Sequence, residues 1–299
     1  MTIVIDLPEF AASVDAEVLC DEPMHVHTTF KIGGPARYYL TPCGEDSLRA
    51  LLNYCRENGI STTVLGNGSD LLVADNGIDG AVISTAAFNG ITVEGENILC
   101  GAGMPLSKVC VAAEREGLSG LEFAYGIPGS VGGAVYMNAG AYGGEMKDVV
   151  AETRHVSAEG CGGFNASQLG FGYRRSSYTD GSLVITQAIF HLVRGDKLKI
   201  RAKMDELFAR RKNRQPLEYP SAGSVFKRPQ GHFAGALIES CGLKGRRIGG
   251  AQVSEKHAGF IVNTGGATCS DVRDLIELIK REVLSKTGVV LECEIKFIG

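Results

Sequence analysis

A chain of 299 residues, 44% hydrophobic and 21% charged, is long enough for about two domains with a sizeable buried core, and its composition excludes disordered and fibrous classes. A formal charge of −4 gives no general attraction to nucleic acid or to an anionic membrane. No apolar run approaches the roughly 20 residues that span a bilayer, and MTIVIDLPEFAASVD lacks the basic region and long apolar segment of a secretion signal, so a cytoplasmic protein without membrane insertion is expected.

The first segment, residues 1–84, carries a strand-like ARYYL and then the helix pattern EDSLRALLNYCREN, in which Leu48, Leu51, Leu52 and Cys55 share a face. A strand TTVLG, a glycine turn and a second apolar run LLVAD follow. From 85 to 198 the texture changes to short alternating strands such as GITVEGENILCGAG, with a helix at PLSKVCVAAEREG in which Pro105 takes the first position. Alternation in SLVITQAIFHLVRGD marks a half-buried strand.

Near 199 the composition shifts. KIRAKMDELFARRKNR sets seven basic residues against two acidic ones on a helical pattern, and a third segment is expected over 199–290. It holds a helix at GHFAGALIESCG, an apolar AGFIVN strand and a helix at SDVRDLIELIKREVLSKTG. In that last helix Ser270 is the expected N-cap, Val272, Leu275, Ile276, Ile279 and Val283 form the buried stripe, and Gly288 stops it. The closing VVLECEIKFIG alternates as one strand, with Glu292 and Glu294 on one face. No period of 20–50 residues suggests a solenoid.

The nine cysteines, Cys20, Cys43, Cys55, Cys100, Cys110, Cys161, Cys241, Cys269 and Cys293, form no CxxC pair, and their odd number argues against a disulfide framework or structural zinc. No HExxH exists either, so no metal site is expected, although His25 and His27 could share a strand face.

Several motifs could carry chemistry. Two glycine-rich loops, LGNGSDLLV at 65–73 and GIPGSVGGAVYMNAGAYGGE at 126–145, could cradle phosphate oxygens with backbone N–H groups, or could be tight turns. Neither is a GxGxxG opening a helix or a GxxxxGK[ST] loop, which disfavours a Rossmann site and a P-loop. FGYRRSSY at 171–178 offers two arginines that could grip a carboxylate or phosphate bidentately, or could lie on the surface. The basic run RRKNRQP is either a solvated helix end or a site for a phosphorylated ligand. In YPSAGSVFKRP, Ser224 could be a nucleophile, a proton donor or part of a turn; the GxSxG elbow of hydrolases is absent.

In chain order, HTTFKIGGPARYYL, VLGNGSDLLV, GIPGSVGGAVYMNAGAYGGE, GYRRSSY, PSAGSVFKRP, LIESCGLKGRRIGGAQVSEKHAGFIVN and LECEIKFIG resemble the UDP-N-acetylenolpyruvoylglucosamine reductases, in the type II form, from about Thr28 to Gly299. The resemblance implies an α+β fold: a two-part FAD-binding domain of the PCMH (vanillyl-alcohol-oxidase-like) type, 1–84 and 85–198, and a smaller α/β substrate-binding domain, 199–290. Residues 291–299 would return as a strand to the flavin.

The resemblance also implies noncovalent FAD cradled by Gly66, Asn67, Gly68, Ser69, Gly126, Pro128, Gly129, Ser130 and Gly133. NADPH would be a co-substrate that reduces the flavin and leaves. UDP-N-acetylglucosamine enolpyruvate would then accept hydride at its vinyl carbon and become UDP-N-acetylmuramate, a peptidoglycan precursor. Arg174 would stabilise charge developing on the substrate carboxylate, Glu294 would donate a hydrogen bond to it when protonated, and Ser224 would deliver the proton. Tyr136, Asn138, Tyr142, Arg214, Gln215 and Lys227 would contact substrate, with no obligate protein partner. Two residues depart from the family pattern: Asp70 and Arg228 stand where asparagine is usual. A flavin oxidase on the same fold and a nucleotide-binding module without catalysis are the alternatives; no motif for covalent flavin attachment is recognisable.

Overall fold

The computed structural model describes residues 6–299. The chain forms two compact units that interleave in sequence. One takes the residues up to Asp21, Tyr38–Asn67 and Gly80–Ala209; the other takes Glu22–Arg37, Gly68–Asp79 and Arg210–Gly299.

In the first unit the helix Glu45–Glu57 buries Leu48, Leu51 and Cys55, as its periodicity predicts, with Leu52 packed at the margin. Glu45 and Asp46 in its first turn complement the positive end of the helix dipole. A short helix, Leu7–Ser13, lies ahead of it, capped by Asp6 through a 3.0 Å bond from the Glu9 N–H, and its Phe10 stacks on Tyr54 at 4.3 Å. This helix is too short for its periodicity to be readable. The associated sheet runs in the order Ala16–Pro23, Pro35–Pro42, Ile78–Ser84, Thr62–Leu65.

A five-stranded antiparallel sheet follows in the order Cys161–Asn165, Val150–Val156, Val184–His191, Asn97–Gly101, Ile91–Glu94. Its middle strand, expected to be half-buried, is covered on both faces: Val184 joins the core around Leu48 and Leu51, whereas Ile185 joins the one around Phe190 and Leu106. A central strand between two cores loses the polar face that alternation implies. The helix Leu106–Arg115 packs into the second of these cores, and Pro105 sits one residue earlier than expected, at the N-cap.

The second unit is built on a small antiparallel sheet, Arg247–Ile248, Ala251–Val253, Ile261–Asn263, and the helix Cys269–Thr287. Val272, Leu275, Ile276, Ile279 and Val283 form the buried stripe and Gly288, at φ +72°, ends the helix, as the sequence indicates. The N-cap is Thr268 rather than Ser270. Thr268 Oγ1 accepts from the Asp271 N–H at 3.0 Å and the Asp271 carboxylate accepts from the Thr268 N–H at 3.1 Å, a reciprocal capping box. The amides of Cys269 and Ser270 donate instead to the Asp75 carboxylate at 2.7 and 3.0 Å.

Backbone hydrogen bonds hold the Asp271 carboxyl below its ordinary range. A depressed carboxylate contributes stability in full above its unfolded pKa and loses it as pH falls through the folded value, so this cap weakens only in acid. Thr268→Ala should therefore cost about 1 kcal/mol in urea unfolding at neutral pH. Ser270→Ala should change it by no more than about 0.5 kcal/mol.

The C-terminal segment, expected as one strand, is two pieces. Cys293 bridges Phe226 antiparallel, the chain bends at buried Ile295, and Lys296–Ile298 then pairs parallel with Leu71–Val73. A change of partner and of direction cannot be made by one continuous ladder. Among the described residues, no helix is long and apolar enough to cross a membrane.

Candidate active site

The two glycine-rich loops meet within the first unit. Asn67 Nδ2 donates to the Pro128 carbonyl at 3.3 Å, and a Cβ on Gly66 would collide with Ser130 Oγ. Ser130 caps the short helix Val131–Tyr136 and accepts from the Gly133 N–H at 3.3 Å. Gly66, Asn67, Pro128 and Gly133 are exposed and Gly126 and Gly129 are half-buried, so the loops present a surface of nearly bare backbone. On the second unit's side of the boundary, Gly68 is buried at φ +57°, where a side chain would strike the His27 carbonyl, and Ser69 is half-buried.

Beyond the second loop the chain forms a hairpin, Gly140–Ala141 against Gly144–Glu145, with Tyr142 at φ +55° and Gly143 at φ +93° at its tip. Positive φ at both central positions is the two-residue hairpin geometry that Asn-Gly usually supplies, and here it thrusts the Tyr142 ring outward, 40% exposed. Arg174 is also left-handed, at φ +55°, in a four-residue turn closed by Gly172 and Arg175, whose amides each donate to the other's carbonyl at 3.0 and 3.3 Å. Its guanidinium lies 5.3 Å from the Tyr173 ring centroid. Arg174 is half-buried whereas Arg175 is exposed.

Asn138, at φ +42° and 1% exposed, sits between these loops. Its Nδ2 donates to Glu145 Oε2 at 3.0 Å and to the Gly172 carbonyl at 3.1 Å, and its Oδ1 accepts from the Lys147 N–H at 2.9 Å. The Lys147 ammonium, 2.8 Å from the Glu145 carboxylate, holds that carboxyl below its ordinary range, and the Asn138 amide and the charge of Arg174 push the same way against desolvation. The far side of the arginine loop is pinned too: Ser176 Oγ donates to the Tyr136 carbonyl at 2.9 Å, the Tyr136 hydroxyl to the Thr179 carbonyl at 3.1 Å, and fully buried Tyr178 bonds Thr153 and His155. Three left-handed non-glycine residues, Asn138, Tyr142 and Arg174 itself, store strain in these loops of the kind that gathers at functional sites.

Ser224 and Glu294 belong to the second unit. Ser224 bridges Phe260, and its neighbour Val225 accepts the Glu294 N–H at 2.8 Å while the Lys227 N–H donates to the Glu292 carbonyl at 2.9 Å. This ladder makes Ser224 the immediate neighbour of the backbone partner of Glu294, so two segments some 70 residues apart in sequence run beside each other as extended backbone. Ser224 is thus not at the corner of a turn; Gly223, at φ +76°, supplies the corner before it.

The other candidates are less engaged. Arg214 is exposed at the end of the helix Lys197–Arg214, and the Gln215 N–H closes that helix on the Arg211 carbonyl at 2.8 Å. The Lys227 ammonium lies 3.3 Å from the exposed Glu292 carboxylate, a contact of little energy in water. Of the two departures from the family pattern, Asp70 turns Oδ2 into the protein interior and accepts the Lys296 N–H on its carbonyl, and Arg228 stacks 4.0 Å over the Phe233 ring. A groove of about 450 Å³ in the first unit, lined by Glu45, Glu152, Arg154, Phe164 and Asn165 among others, contains none of the candidate residues.

Comparison with known proteins places these features. Residues 215–298 match the UDP-N-acetylenolpyruvoylglucosamine reductase C-terminal domain, and residues 36–161 match an FAD binding domain. The UDP-N-acetylenolpyruvoylglucosamine reductase of Clostridium botulinum (strain Hall) is 48% identical over 283 residues, 94% of this chain and 92% of the relative. The crystal structure of UDP-N-acetylenolpyruvylglucosamine reductase (MurB) from Thermus caldophilus superposes with a TM-score of 0.81 at 37% identity, covering 95% of this chain and 99% of that one. A solvent-stable cholesterol oxidase shares the fold at a TM-score of 0.50 and 13% identity, over 63% of this chain and 40% of its own. The α+β class and the FAD-binding domain are therefore as the sequence leads one to expect. The chain belongs to the UDP-N-acetylenolpyruvoylglucosamine reductase family.

Proposed function

We propose that this protein is an FAD-dependent oxidoreductase that uses NADPH to reduce UDP-N-acetylglucosamine enolpyruvate to UDP-N-acetylmuramate in the cytoplasm. The observation that carries the reading is the ladder that sets Ser224 beside the Glu294 segment, in a chain whose family is that of the reductase. In functional terms the chain divides into FAD-binding parts 1–84 and 85–198, a substrate-binding part 199–290 and a returning segment 291–299.

The glycine loops fit a dinucleotide. Gly66, Asn67, Gly68, Ser69, Gly126, Pro128, Gly129, Ser130 and Gly133 would hold the FAD pyrophosphate through backbone N–H groups, which need glycine both for dihedrals and for close approach. When bound, FAD supplies the hydride carrier that links NADPH oxidation to reduction of the vinyl carbon. Gly66→Ala should then lower flavin occupancy of the purified protein by roughly tenfold or more, since its methyl group meets Ser130. The ratio of flavin to protein absorbance reads this directly, and full occupancy would exclude Gly66 from the cradle.

The remaining chemistry belongs to side chains. Hydride addition at the terminal vinyl carbon places negative charge on the adjacent carbon and its carboxylate. Arg174 faces that charge with a fixed cation, and Glu294, protonated, donates a hydrogen bond to the same carboxylate. Ser224 Oγ donates the proton that the basic carbon takes up; a hydroxyl needs no activating base for that task because the acceptor is far more basic than an alkoxide. Tyr136, Tyr142, Arg214, Gln215 and Lys227 orient the sugar nucleotide, with Arg214 suited to its diphosphate.

A further inference from the structure

We propose that Asn138 is a positioning residue for Arg174, holding it through the Gly172 turn and through Glu145 rather than touching the substrate itself. This rests on the reading of Arg174 as the cation that meets the developing charge. The carboxamide of Asn138 is fully engaged. Both N–H groups of Asn138 are used within the protein, at 3.0 Å to Glu145 Oε2 and 3.1 Å to the Gly172 carbonyl, and Oδ1 accepts from the Lys147 N–H at 2.9 Å. A phosphate or carboxylate oxygen of a ligand would need a donor, and this side chain has none to spare.

What the carboxamide does hold is informative. The Gly172 carbonyl is the one that closes the arginine turn, accepting also from the Arg175 N–H at 3.3 Å. Fixing it fixes the corner at which Arg174 is forced to φ +55°, a conformation costing an ordinary side chain about 1–2 kcal/mol and kept only when surroundings over-determine it. The second bond aims the Glu145 carboxylate, whose negative charge acts on Arg174. Asn138 is itself left-handed and 1% exposed at the end of the helix Val131–Tyr136, so the brace stands on a rigid element. Asparagine is the residue that combines tolerance of positive φ with two donors in a fixed plane.

The test separates a brace from a contact and from general loosening. In Asn138→Ala, flavin reduction by NADPH should stay within roughly twofold of wild type. Reoxidation by the enolpyruvyl sugar nucleotide should slow by roughly tenfold or more, with substrate affinity changed by less than about threefold. In an Arg174→Ala background the same substitution should slow reoxidation no further, since a residue acting through Arg174 has nothing left to act on.

Weakened substrate affinity at an unchanged limiting rate would make Asn138 a direct contact and overturn the proposal. A full additional loss in the Arg174→Ala background would also overturn it, by showing that the effect does not pass through Arg174. Glu145→Gln, at a partly exposed side chain, serves where Asn138→Ala does not fold. It should slow reoxidation roughly threefold, again without further effect once Arg174 is gone, and an additive loss there counts against the brace. Wild-type reoxidation in Arg174→Ala alone would instead overturn the reading of Arg174 on which the proposal stands.

Discussion

Ser224→Ala is expected to reduce its flavin with NADPH at a rate within roughly twofold of wild type and to be reoxidised by the enolpyruvyl sugar nucleotide on the order of 10³-fold more slowly. The asymmetry follows from where the hydroxyl acts. Transfer between NADPH and flavin needs no proton from this residue, whereas saturation of the vinyl group leaves a carbon that must be protonated. The extended segment pinned by the Val225 carbonyl to the Glu294 N–H and by the bridge to Phe260 leaves Ser224 little freedom, so its reach is set by backbone, not by a mobile loop. Loss of a single half-buried hydroxyl should leave the fold intact. Stopped-flow absorbance resolves the two phases, and equal slowing of both would remove Ser224 from proton donation.

Arg174 should show the second large effect, and with it a trade between stability and activity. Arg174→Gly should leave unfolding free energy within about 1 kcal/mol of wild type, because relief of the left-handed strain offsets glycine's greater freedom in the unfolded chain. Reoxidation should nevertheless slow by about 10²–10³-fold, the scale of removing one donor aimed at developing charge. Arg174→Lys keeps a charge without the planar fork and should fall between. Denaturant titration alongside single-turnover kinetics checks both halves; a destabilised Gly variant with normal turnover would mean that the turn, not the cation, is what matters.

The local elements were legible because each carries its own periodicity: the stripe from Val272 to Val283 and the face of Leu48, Leu51 and Cys55 are buried as their spacing requires. The interleaving of the two compact units carries no such mark. Phe30, Ile32 and Leu72 share a core with Val225 and Ile276, about 200 residues away, and no local pattern encodes such a pairing. Similar reasons explain the smaller differences. The T-x-x-D box at Thr268 is visible in the sequence, but Ser270 is an equally good cap by residue type until Asp75 is seen to take its amide. The bend at Ile295 depends on a change of strand partner.

For the candidate site, motifs and the family resemblance name the residues, and the contacts each one makes come only from the structure. By residue type Arg174 and Arg175 are alike and the family resemblance names the first; half-burial and a positive φ are what the structure adds for it. The resemblance makes Asn138 a substrate contact, whereas its partners Glu145, Lys147 and Gly172, up to 34 positions away, point to a brace. An asparagine in a loop of small residues is a signal for positive φ, which is the one clue the sequence offered.

The most direct test of the account is an anaerobic titration. Protein purified with its flavin should bleach on addition of NADPH, and its absorbance band should return on addition of UDP-N-acetylglucosamine enolpyruvate, in proportion to the substrate added and without oxygen. A band that stays bleached until air is admitted would contradict the account and identify an oxidase, and a protein that neither carries nor takes up flavin would contradict it altogether.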